Sequence, residues 1–176
     1  MIRSIAYAVL ATGLATSAVL AADPGSTASA TAAAAPTTEA FLKQAAAGNR
    51  FEIDSSKLAL SKSSSTDVKA FATQMVTDHG EAAIKSRKAV FEAKLKAPSE
   101  ALDDKHEAIL KDLRARNGTD FDKAYIDIQK QGHIETVALF ESYAKDGDNA
   151  RMRQFAQELL PTLREHLDHV RKLNPS

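Results

Sequence analysis

The chain has 176 residues, enough for one domain of ordinary size around a single core. Lys plus Arg and Asp plus Glu both count 23, and cysteine is absent. No basic surplus exists to hold nucleic acid; disulfides, thiol catalysis, iron–sulfur ligation and covalent haem attachment are excluded, which leaves a metal site only nitrogen and oxygen ligands.

Residues 1–22 carry Arg3, then the apolar stretch from Ile5 to Leu20, then the small-residue sequence AVLAAD. This is the three-part pattern of a secretory signal peptide, cleaved after Ala21 or Ala22. The stretch is 16 residues long and broken by Thr and Gly, short for a membrane span of about 20. A periplasmic or secreted location is therefore expected, with no membrane span after cleavage. Without Arg3 the balance is 22 cations against 23 anions, a net charge of −1 with His neutral. Residues 23–37, with the string PGSTASATAAAAPT, are small, polar and proline-marked, and read as a disordered linker.

Residues 38–174 read as a helical domain, because apolar residues recur at three- and four-residue spacing and no alternating strand pattern appears. The first long helix is predicted over Thr38–Lys62, with Phe41, Ala45, Gly48, Glu52 and Ala59 on one face, ending in Ser63–Ser65. Ser65 or Thr66 caps the second, whose face is Val68, Ala72, Met75, His79, Ala82, Ser86 and Val90, and Pro98 marks its end. A short helix from about Glu100 to Arg116 is closed by Asn117-Gly118. The third long helix opens with Thr119 three residues ahead of Asp122, the spacing of a capping box, and presents Phe121, Tyr125, Ile128, Gly132, Leu139 and Tyr143 before Gly147 ends it. The fourth starts near Asp148 and presents Met152, Ala156, Leu159, Leu163, His166 and Val170, running to Leu173 with a bend at Pro161 that frees the carbonyl of Gln157.

The first and last of the links between the long helices, lettered A to D in chain order, are a few residues each, whereas the middle, B–C link exceeds twenty and contains its own helix. Short links make antiparallel neighbours, and the long one can travel the whole bundle. The fold class expected is all-α: a ferritin-like four-helix bundle with a short extra helix in the long B–C connection. A plain up-down-up-down bundle, its B–C link folded back as a cap, is the alternative.

Each long helix carries one ionisable residue on or beside its apolar face: Glu52, His79, His133 and His166. Such residues are seldom buried without a partner. On a helical wheel Glu52 and His79 fall within about 20° of their stripe centres, His166 within roughly 50°, and His133 on the shoulder at about 70°. Asp78, His106 and His169 point more outward. At 1.5 Å rise per residue, Glu52, His79 and His133 stand about 18, 21 and 20 Å from their nearest interhelix turns, and His166 about one helical turn off level. Gly48, Gly80 and Gly132 lie within four residues of Glu52, His79 and His133. Each costs about 1 kcal/mol inside a helix, which close backbone approach or room for a bound group would explain.

Imidazole and carboxylate together suit zinc, iron, copper or manganese, and facing helices of bundles commonly assemble such sites. A buried hydrogen-bonded network of the same residues is the competing reading. The Glu-x-x-His pattern of di-iron bundles is missing, since Val76, Lys130 and Leu163 stand three residues before the histidines. There is no Gly-rich phosphate loop, no Gly-x-Ser-x-Gly and no His-Glu-x-x-His, so an enzyme is the weakest of the three readings.

The strings FLKQAAAGNRFEIDSSKLAL, DVKAFATQMVTDH, FDKAYIDIQKQGH and RQFAQELLPTLREHL, together spanning about Phe41 to Leu167, resemble the bacterial family known as domain of unknown function 4142. The resemblance implies an exported ferritin-like bundle without an assigned activity. The family's characteristic polar positions are matched by Glu52, the Asp78-His79 pair, His133 and His166.

Overall fold

The computed structural model describes residues 35–174, which form five α-helices and, among the described residues, no strand. The expected signal peptide and most of the expected linker lie outside the described residues. The helices are α1 (Thr38–Lys62), α2 (Thr66–Glu92), α3 (Asp104–Ala115), α4 (Gly118–Asp146) and α5 (Ala150–Val170). None of the described helices is long and apolar enough to cross a membrane.

Local chemistry sets the boundaries. Thr37, Ser65, Asp103 and Asn149 each accept a backbone N–H of the following first turn through the side chain, satisfying donors that have no partner inside the helix. The end of α2 departs from expectation: it stops at Glu92, not at Pro98. Lys94 enters the left-handed region at φ 54°, and the Leu95 N–H reaches back to the Val90 carbonyl at 3.0 Å. That is a Schellman closure, completed by Leu95 packing against the apolar core. The short helix starts at Asp104, later than Glu100, because Asp103 supplies its cap. Asn117-Gly118 opens α4 instead of closing α3. The proposed capping-box acid, Asp122, is fully buried, and among the described residues neither of its oxygens has a hydrogen-bond partner. The last helix ends at Val170, and Leu173 is buried just beyond it. Pro161 sits on its exposed side, as does Gln157, so water can serve the freed carbonyl and α5 continues through the proline.

Contacts at the helix ends give the directions. Thr38 at the start of α1 bonds Asp148 just after α4, while Ser56 near the end of α1 bonds Tyr125 near the start of α4 at 2.8 Å. Glu92 at the end of α2 pairs with Arg151 at the start of α5 at 2.7 Å, and Gln74 near the start of α2 meets His169 at the end of α5 at 3.0 Å. With short links joining α1 to α2 and α4 to α5, α1 and α5 run one way and α2 and α4 the other. Each long helix packs on two antiparallel neighbours, and the segment between α2 and α4 returns along the molecule with α3 against α1.

Two apolar clusters fill the interior. One joins Phe41, Val90, Phe140, Tyr143, Met152 and Phe155; the other joins Val68, Phe71, Met75, Phe121, Tyr125 and Val170. Along every long helix the polar residue falls between its contributions to the two clusters. Gly147 shows how tightly the first cluster's end is built. A Cβ there would stand 2.6 Å from both the carbonyl oxygen and a ring carbon of Tyr143. Gly147→Ala is therefore expected to cost about 1–3 kcal/mol, read as a lower midpoint in urea unfolding with unchanged slope.

Candidate metal centre

The layer between the clusters holds Glu52, His79, His133 and His166, exposed by 6, 6, 1 and 1 %. The wheel placed His133 on a shoulder; it is instead central. The buried stripe of α4 runs through Asp122, Ile126, Gln129, His133 and Phe140, rotated away from Ile128, Gly132 and Leu139, which are only partly covered.

Each imidazole is held by one nitrogen. His133 Nδ1 lies 2.9 Å from the Gln129 main-chain oxygen, an atom that only accepts, so Nδ1 carries the proton. His166 Nε2 lies 2.8 Å from Asp78 Oδ2 and donates to that carboxylate. His79 Nδ1 donates to Asn49 Oδ1 at 2.9 Å. The remaining nitrogens, His79 Nε2, His133 Nε2 and His166 Nδ1, are buried and have no partner among the described residues. They belong to three rings whose centroids are 5.4 to 6.0 Å apart, and one ligand atom from each lies within 4.8 Å of the others.

The electrostatics agree with neutral rings at His79 and His166. Burial, then the neighbouring His133 and His166, hold the His79 pKa well below that of free imidazole. Burial also lowers His166, against the opposing pull of Asp78. Protonating either ring would place a cation in a buried layer.

Glu52 stands beside this set and is not one of the mutually adjacent groups. Its side chain takes a hydrogen bond from Gln129, whose amide also donates to Ser55 Oγ at 3.2 Å. Its Oε2 is buried and unpaired, and burial raises its pKa, opposed by His133. Glu52 Oε1 would be 3.3 Å from a Cβ at position 132, so the glycine there admits the carboxylate. Gly48 and Gly80 have no such neighbour: nothing lies within 4 Å of a Cβ built on either. They line open space.

Three residues that hold the site escaped the sequence reading as partners. Asp78, expected to point outward, is partly buried and holds His166. Asn49 and Gln129 hold His79 and His133. Gln129, four residues before His133 on the same stripe, was legible as a buried polar residue; Asn49 and Asp78 act across helices, which one sequence does not display. His106 and His169 stand apart: His106 stacks on Phe51, and His169 meets Gln74 and Phe71.

Two recesses reach the layer. A smaller one, about 320 Å³, carries Asp78, Glu81 and Glu165 and touches His79 and His166; a larger one, about 690 Å³, touches Glu52, His79 and His133. No curated protein and no solved structure matches the chain. The family model described as Domain of unknown function (DUF4142) matches residues 23–173. The chain belongs to the DUF4142 family.

Proposed function

We propose that this protein is an exported, ferritin-like four-helix bundle that binds one first-row transition-metal ion in its mid-core layer. The observation that carries the metal is a set of three buried imidazoles that each bring a ligand atom within 4.8 Å of the others, each with one nitrogen held by an acceptor and the other left without a partner among the described residues. Metal-binding histidines have that arrangement, because the second hydrogen bond fixes both tautomer and ring direction. A structural network would instead use these atoms, since a buried polar atom left unpaired costs about 1–3 kcal/mol.

His79 Nε2, His133 Nε2 and His166 Nδ1 would take one face of the ion. Around a tetrahedral ion such nitrogens are roughly 3.4 Å apart, so binding draws the rings slightly together. Glu52 and a group entering from the larger recess would supply the further ligands. Zinc, iron, copper and manganese all suit nitrogen with a carboxylate, with affinity among divalent ions rising from manganese through iron to copper and falling again at zinc. The bundle reading is supported by the antiparallel neighbours and the returning α2–α4 segment, and export by the three-part pattern of residues 1–22.

Because burial holds the His79 and His166 pKa values down, those two rings carry no proton for the ion to displace near neutral pH. Calorimetric titration with zinc in a Glu52→Gln background, which removes the carboxylate whose pKa burial raises, is expected to give an affinity that falls by no more than about tenfold between pH 7.5 and 5.5. A drop of about a hundredfold or more over that range would contradict the held-neutral state of His79 and His166.

A further inference from the structure

The larger recess changes character along its length. At one end are Glu52, His79 and His133; toward the other the lining is Val90, Leu95 and Phe140, with Phe91 at the rim, 83 % exposed. From His79 to Phe91 is twelve residues of α2, about 18 Å along the helix. Gly48 and Gly80 both face this space, and a Cβ on either would touch nothing. Alanine would fit at both positions and favour the helix, so the glycines keep the passage wide. A long apolar passage ending on a polar floor matches an amphiphile, and about 690 Å³ is of the size that takes a whole small molecule.

Charge selects the head group. Three neutral imidazoles bring no charge to a divalent ion, and Glu52 cancels only part of it; Asp78 lies behind His166 and does not line this recess. At the rim Arg50 is paired with Asp54 and Arg87 with Glu100, while the exposed Lys57 has no ion pair among the described residues. With the divalent ion in place, the floor and the rim both favour an anion. We propose that this recess binds a medium-chain fatty acid, its carboxylate on the metal and its alkyl chain lying along α2 toward Phe91. The inference rests on the metal reading.

The test uses the full protein loaded with cobalt(II), whose visible absorption reports its ligands, titrated with octanoate, decanoate and dodecanoate. The expected result is a spectral change that saturates, with affinity rising roughly fourfold per added methylene. Gly48→Leu, which fills the open space, is expected to retain one equivalent of cobalt and to weaken dodecanoate at least tenfold. Bound cobalt whose spectrum ignores the acids, or affinity independent of chain length, overturns this inference alone. Dodecanol binding as tightly as dodecanoate overturns the carboxylate assignment. Failure to take up cobalt overturns both the metal reading and the head-group assignment.

Discussion

Replacing His133 with alanine is expected to lower metal affinity at least 100-fold and to remove nearly all the thermal stabilisation that metal confers. His133 offers a buried nitrogen to the layer from a ring fixed by the Gln129 carbonyl at 2.9 Å. Even the loss of a residue that merely orients a ligand costs 10–100-fold in affinity, so removing the ligand itself should exceed that range. An ion present at about 1,000 times its Kd stabilises the folded state by about 4 kcal/mol. For a domain of this size each kcal/mol moves Tm by roughly 3 °C, giving the wild type a shift near 12 °C. Differential scanning calorimetry with and without added zinc checks both statements. A variant that keeps the full shift would show that the ion, if bound, sits elsewhere. Asp78→Asn should give a smaller loss, because Asp78 only holds His166 through its Nε2.

Glu52→Gln should raise the stability of the metal-free protein at neutral pH by about 1–3 kcal/mol, the scale of an unsatisfied buried polar group. Burial raises the Glu52 pKa in the folded state. The folded chain therefore holds that proton more tightly than the unfolded chain, and its contribution is fully present below the unfolded value near 4.5 and fades as pH rises through the folded value. The advantage of glutamine should accordingly be small at pH 4 and grow toward neutrality. His79 and His166 act in the opposite sense. Their folded pKa values are lowered, so their contribution is present above about 6.5 and fades as pH falls. Urea unfolding of metal-free wild type and Glu52→Gln across this range separates the two trends. A destabilised glutamine variant at every pH would mean that the carboxylate is a satisfied structural partner, and the network reading would replace the metal reading.

Much of this was legible in the sequence, and the remainder failed for definite physical reasons. Thr38–Lys62 was bounded correctly because a threonine cap, an unbroken apolar period and a serine run all agree there. The end of α2 was misplaced because Pro98 is a visible stop, whereas a left-handed lysine stabilised by the tertiary contact of Leu95 is not. The candidate ligands were found by the incongruity of an ionisable residue on an apolar stripe. His133 was ranked lowest because Ile128, Gly132 and Leu139 were counted as core, which rotated the apparent stripe away from it. What the sequence withheld was pairing: which atom of Asn49 or Asp78 meets which ring depends on neighbouring helices, and Gln129 holds His133 through its main chain. The three glycines stand alike beside the ionisable residues in the sequence, yet they divide by role. Gly132 admits the Glu52 carboxylate, while Gly48 and Gly80 border open space.

The layer's position sharpens its meaning. Two apolar clusters are interrupted at mid-height by four ionisable side chains, where hydrophobic residues of similar volume would often be as stable or more so. A fold that leaves three imidazole nitrogens unpaired in its core retains them at a cost in stability, the usual mark of a site kept for function. The most direct measurement is elemental analysis of the protein purified without an affinity tag, beside His79→Ala, His133→Ala, before and after exposure to zinc, iron, copper and manganese. One equivalent of a single metal in the wild type, absent from the double variant, is the expected result. A wild type that is metal-free and takes up none of the four would contradict metal binding and leave a buried polar network in its place.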